Sequence, residues 1–152
     1  MAQVIDIESA KKEVVEFLKD NDADHLIPDA TATTEKELEQ KKEFEKNILM
    51  LAKDISAGRL VIKDGIATKE LKFKLPDLHT GEIFLASVSF DKRLTAKDKD
   101  DIIAKVKKDD TGSAMDAIKA IIAKKVGLDV AIINKIDSRD YKILQAIGTI
   151  FF

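Results

Sequence analysis

Two histidines, His25 and His79, and four aspartates, Asp98, Asp100, Asp101 and Asp109, are the residues whose types could perform acid–base chemistry or hold a metal. The histidines lie far apart in sequence, one in a polar loop and one in a turn, and neither has a carboxylate at ligand spacing. The aspartates suggest a calcium loop. Counting from Asp98, Asp109 stands at the twelfth position, but an EF-hand needs glycine at the sixth, where this chain has Ile103. Ile102 and Ile103 belong to a helix face, so these acids read as solvated helix charges. The six glycines are scattered singly, which leaves no phosphate cradle. There is no G-x-S-x-G elbow, and Ser113 has no histidine near it in sequence. No catalytic residue, cofactor or metal is expected, and the chain reads as a non-enzyme.

The stretch Gly127–Phe152 does not point to bond chemistry either. It reads as two short helices, about 128–136 and 138–150, joined at Asp137-Ser138. The first carries Leu128, Ile132, Ile133 and Ile136. The second carries Tyr141, Leu144, Ile147 and Phe151 at helical spacing. Asp137 is placed as an N-cap, with Asp140 three residues on, where negative charge suits a helix N-terminus. A helix-turn-helix has about these lengths. A recognition helix presents Arg, Lys, Asn or Gln to base edges. This one offers Arg139, Lys142 and Gln145 and is otherwise apolar, a burying surface rather than a groove reader, so nucleic acid is not the expected partner.

The elements that must position these residues follow from periodicity. A helix is expected over 4–19, with Ile7, Ala10, Val14, Phe17 and Leu18 on one face. The polar stretch 20–34 reads as a loop that Leu26 and Ile27 would anchor. Thr34 and Glu37 form a capping box that opens a long helix to about Ala57. Its apolar stripe is Leu38, Phe44, Ile48, Leu51 and Ile55, and Gly58 is placed to end it. The period then changes to two. Leu60-Val61-Ile62 leads into the Asp64-Gly65 hairpin signal. Leu71, Phe73 and Leu75 mark the return strand, and Phe84, Ala86, Val88 and Phe90 one side of a third. Thr95 and Asp98 open a helix with Ile102, Ile103 and Val106 inward. Another, from about Ser113, carries Met115, Ile118, Ile121, Ile122 and Val126. Helices and strands are segregated, so the expected fold class is α+β: two N-terminal helices, a three-stranded antiparallel meander, and a C-terminal bundle of about four helices.

At 152 residues the chain is long enough to bury a real core. Its aromatic share of 5% is low and Trp is absent, so that core must rest on aliphatic residues and Phe. The net charge of −2 favours neither nucleic acid nor an anionic membrane. The charge is uneven: residues 1–58 carry more acids than bases and residues 59–152 the reverse. An acidic helical region, 1–58, is therefore expected to precede a meander-plus-helices region, 59–152. The absence of cysteine removes disulfides and thiolate sites and fits a reducing compartment. The N-terminus has acids where a signal peptide has a basic start, and no apolar run is long enough to span a bilayer.

From Met115 onward a further pattern is visible. An Ala/Ile-rich helix ends at Val126 and is followed by Gly127-Leu128, Ile132-Ile133, Ile136-Asp137, Asp140-Tyr141 and an apolar helix closing on Phe151-Phe152. Ahead of it stand Leu71–Leu75, Phe84–Phe90 and the helix start Leu94-Thr95-Ala96-Lys97-Asp98. This order resembles the tail assembly chaperones of tailed bacteriophages, over about residues 66–152. Residues 1–58 exceed what the resemblance covers, which leaves room for a baseplate or hub assembly factor, or for a part retained in the virion. The resemblance implies a non-enzymatic helper in the host bacterial cytoplasm that coats a tape-measure protein or gathers tube subunits. Such a helper needs an exposed apolar strip with charged flanks. The strip would be Tyr141, Leu144, Ile147, Phe151 and Phe152. The bland alternative is that these residues complete the chain's own core, Tyr141 and Leu144 most readily, with the two phenylalanines the better placed for exposure. A structural virion protein and a helix-turn-helix regulator are the alternative functions. Homo-oligomerisation and the identity of the partner stay open.

Overall fold

A computed structural model describes residues 5–28, 31, 33–108 and 114–151. The order is α1 (Ile7–Asp20), a 3-10 turn (Asp24–Leu26), α2 (Glu35–Ser56), β1 (Leu60–Lys63), β2 (Ile66–Pro76), β3 (Ile83–Ser89), α3 (Ala96–Lys108), α4 (Ala114–Val126), α5 (Val130–Ile133) and α6 (Ser138–Ile150). The fold is α+β, and the strands form one antiparallel sheet in the order β1-β2-β3. The chain divides into two compact units, Met1–Ala67 and Thr68–Phe152, with the boundary inside β2.

In the first unit α1 packs against α2. α1 begins at Ile7 because Asp6 caps it, its carboxylate accepting the Ser9 N–H at 2.8 Å. Ala10, Val14, Phe17 and Leu18 are buried. In the segment that follows, Ala23 is sealed, whereas Leu26, expected as an anchor, is exposed because the 3-10 turn faces it outward. Thr34 caps α2, its hydroxyl accepting the Glu37 N–H at 3.2 Å, while Glu37 reaches back to the N–H of Thr33. The buried residues of α2 fall between Ile48 and Ile55. Leu38, expected in the stripe, is exposed on the polar first half of the helix. Gly58 ends the helix at φ 77. Its N–H reaches the Ile55 carbonyl and the Arg59 N–H that of Asp54, the two bonds of a Schellman motif. Asp64 and Gly65 both have positive φ, 53 and 74, which turns β1 into β2 as a type I′ hairpin.

In the second unit β2 and β3 pair regularly from Thr68↔Ser89 to Glu70↔Ser87. The ladder then slips, resuming at Leu75↔Leu85 and Pro76↔Ile83. Residues Leu71 to Lys74 thus stand opposite Ala86 alone, and Phe84 falls in a second break. Of the residues expected on one side of β3, Val88 and Phe90 are buried, but Phe84 is 57% exposed, because the slipped end of the hairpin carries it away from the core. α4 and α6 pack together around Ile118, Ile121, Ile122, Leu144 and Ile147. Met115, which leads the apolar residues of α4, is exposed in its first turn. Ser113 and the acid at 109 lie outside the described residues, as do the side chain of Val106 and the whole of Phe152.

Candidate partner-binding surfaces

α6 begins where the sequence places it. Asp137 accepts the Arg139 backbone N–H at 2.9 Å, and the Arg139 guanidinium donates to both carboxylate oxygens, also at 2.9 Å. These bonds hold the Asp137 carboxyl down to about 2. The same guanidinium lies 3.7 Å from the centre of the Phe73 ring, an Arg–aromatic stack. Gln145 donates to the Met115 sulfur. Two of the three polar side chains that a recognition helix would offer to DNA are therefore engaged within the chain.

Asp140 does more than suit a helix dipole. It is 3% exposed, and its two oxygens accept the backbone N–H groups of Lys72 and Phe73 at 3.1 and 2.9 Å. Those are residues of the stretch where the β2–β3 ladder is interrupted. The carboxylate replaces strand partners that β3 does not supply, which satisfies part-buried donors where the ladder is broken. Lys69, 1% exposed, brings its ammonium within 3.8 Å of the same carboxylate. Strand alternation places Lys69 on the face of Leu71, two residues on, so a signal for its burial existed in the sequence. That signal is weak on its own, because lysine is rarely buried.

The expected apolar strip is largely interior. Leu144 is 0% and Ile147 1% exposed. Gly148 sits so close to α4 that a Cβ there would lie 2.5 Å from Ile122 Cγ1. Tyr141 is half-buried under the Lys119 ammonium, 5.6 Å from the ring centre, and burial pushes its hydroxyl above the usual tyrosine range, with the nearby Asp116 adding to the effect. Phe151 is half-buried. Its ring stacks on Phe90 with centroids 6.5 Å apart, and the Lys125 ammonium stands 4.4 Å from its centre. Burial lowers the Lys125 ammonium below the ordinary lysine value, partly offset by Asp91. Leu144 and Ile147 are thus core side chains, and among the described residues the surface share of the strip falls to Tyr141 and Phe151.

Apolar surface appears elsewhere. At the far end of the β2–β3 hairpin, Leu78, Ile83 and Phe84 are 87%, 62% and 57% exposed. The turn that carries them is closed by the Asp77 N–H donating to the Glu82 carbonyl, and Asp77 also accepts the N–H groups of His79 and Thr80. An apolar residue in a polar turn was the available signal for this patch, and Leu78 supplies it. A second feature is a groove of about 630 Å³ along α3 and α4, floored by Ile102, Ala120, Leu128 and Val130 and edged by charge. Both histidines are exposed, and no group of three or more His, Asp or Glu among the described residues is placed to hold a metal ion. No helix among the described residues is long and apolar enough to cross a membrane. No protein-family model, no curated protein and no solved structure matches this chain.

Proposed function

We propose that this protein is a non-enzymatic assembly chaperone of a bacteriophage tail or baseplate, binding a tape-measure, tube or hub protein through apolar surface. The resemblance over residues 66–152 supplies the class of partner. The observation that supports the binding mode is the end of the β2–β3 hairpin, where Leu78, Ile83 and Phe84 are each more than half exposed. Large apolar side chains exposed within one short stretch of chain are a cost to a solitary protein and an asset to one that shields a partner. The dense charge elsewhere, 36% of residues, keeps such a complex dissolved.

The test is co-expression with the tail genes that surround the coding sequence, followed by affinity capture and identification of the partner. The wild-type chain is expected to retain a tape-measure, tube or hub protein and to be missing from purified mature particles. L78S/F84S is expected to fold and lose the partner. Removal of residues 149–152 asks the same of the C-terminal strip. Presence of the polypeptide in mature particles would instead favour the structural virion reading, and failure to retain any tail protein would overturn both.

A further inference from the structure

We propose that the groove along α3 and α4 seats one amphipathic helix of a partner protein, apolar stripe inward and Lys or Arg side chains along its edges. The inference rests on the reading of this chain as a partner-binding protein and names the chemistry that one of its surfaces selects.

Shape comes first. Asp98, in the first turn of α3, meets Lys124, in the last turn of α4, at 3.9 Å, so the two helices run antiparallel and leave a trough between them. Val130, at the start of α5, is 40% exposed at the groove. About 630 Å³ with an apolar floor suits side chains projecting from successive turns of one helix face, at i, i+3, i+4 and i+7. A solvated cation alone would leave that floor wet.

Charge then decides what edges the helix carries. Four carboxylates, Asp98, Asp101, Asp116 and Asp129, face two ammonium groups, Lys105 and Lys124. Lys124 is matched by Asp98. Asp101 and Asp129 make no hydrogen bond or ion pair through their side chains among the described residues. Asp129 stands at the N-cap of α5 without capping it. The rim therefore retains negative charge that basic edges would neutralise and acidic edges would oppose. A second copy of this chain is the poorer match: the exposed first half of α2 sets Glu35, Glu37, Glu39, Glu43 and Glu45 against Lys36, Lys41, Lys42 and Lys46, an excess of acid rather than of base.

Titration of the full-length chain with two synthetic helical peptides tests this. They share one leucine stripe and differ in edges of lysine or glutamate, and amide chemical shifts report the site. The lysine peptide is expected to move signals on α3, α4 and residues 127–130, and to bind about tenfold or more tightly than the glutamate peptide at low salt. D101K/D129K, two exposed positions, is expected to weaken it about tenfold, and V130D to weaken it with the rim charge made more negative. E39K/E43K, equally acid-depleting but on α2, is expected to leave it unchanged. The proposal falls if the shifts map to another surface, if D101K/D129K binds like wild type, or if E39K/E43K weakens binding as much. It also falls if spermine at matched charge competes as strongly as the peptide. Should the groove fail while a tail protein still co-purifies, this inference is lost and the assembly reading stands. Peptide binding with no tail protein retained gives the reverse.

Discussion

The Lys69 ammonium lies 3.8 Å from the Asp140 carboxylate, with both side chains all but removed from water. The two backbone N–H groups that Asp140 accepts are nearer, at 3.1 and 2.9 Å. Pinning the interrupted strand is thus the main work of Asp140, and Lys69 balances its charge. D140A would take the acceptor from two part-buried amides and the facing carboxylate from the buried Lys69 ammonium, and is expected to cost about 3–5 kcal/mol. K69M keeps an apolar chain of similar length but leaves the carboxylate with its two amide donors, and should cost clearly less. Urea denaturation of the two variants checks the order; equal losses would mean the ion pair, not the amide bonds, dominates.

Gly148 decides how closely α6 approaches α4. A Cβ there meets Ile122 Cγ1 at 2.5 Å, Ile122 Cδ1 at 2.9 Å and Ile118 Cγ2 at 3.3 Å. Alanine favours a helix over glycine by about 1 kcal/mol, but overpacking a core costs about 1–3 kcal/mol. G148A is therefore expected to lower the thermal midpoint. A rise would show that the two helices separate freely.

Acid should loosen the start of α6. The folded value of Asp137 is depressed, to about 2 from an ordinary 3.8, chiefly by the bonds from Arg139. Its contribution to stability is therefore complete above 3.8 and disappears as pH falls through about 2. Asp6 and Asp98, lowered by their bonds to Ser9 and Thr95, add to it in the same direction. Carboxyl carbon shifts followed from pH 6 to pH 1.5 should place the Asp137 midpoint near 2, and R139A should return it towards the ordinary range.

Thr95 and Asp98 close a reciprocal capping box at α3. The Asp98 N–H donates to the Thr95 hydroxyl and the Thr95 N–H to the Asp98 carboxylate, both at 3.1 Å. T95A is expected to cost about 1 kcal/mol, and T95S a few tenths at most. Chemical denaturation checks both, and slowed-down exchange of the first-turn amides in T95A would contradict the assignment.

The hairpin patch should be separable from stability. L78S and I83T replace exposed side chains, so each is expected to change unfolding free energy by no more than about 0.5 kcal/mol. Lower retention on a hydrophobic column should accompany them. A large loss of stability would mean the patch is covered by this chain itself.

What could be read from the residues alone was local. The Thr34 and Thr95 caps, the Asp137 N-cap, the Gly58 stop and the Asp64-Gly65 turn all involve groups within a few positions of one another, where chain geometry leaves few options. The change from a period of three and four to a period of two placed the meander among the helices and so the α+β class. Which side chains meet water was decided elsewhere. Leu144 and Ile147 have the same pattern whether they face a partner or α4, and only the packing of α6 on α4 sealed them. Phe84 fits the buried face of its strand by alternation, yet a slipped ladder put it in solvent. Lys69 reads as a surface lysine until Asp140, far along the chain, arrives to meet it. Periodicity assigns residues to faces; what covers a face depends on long-range contacts that no local pattern encodes.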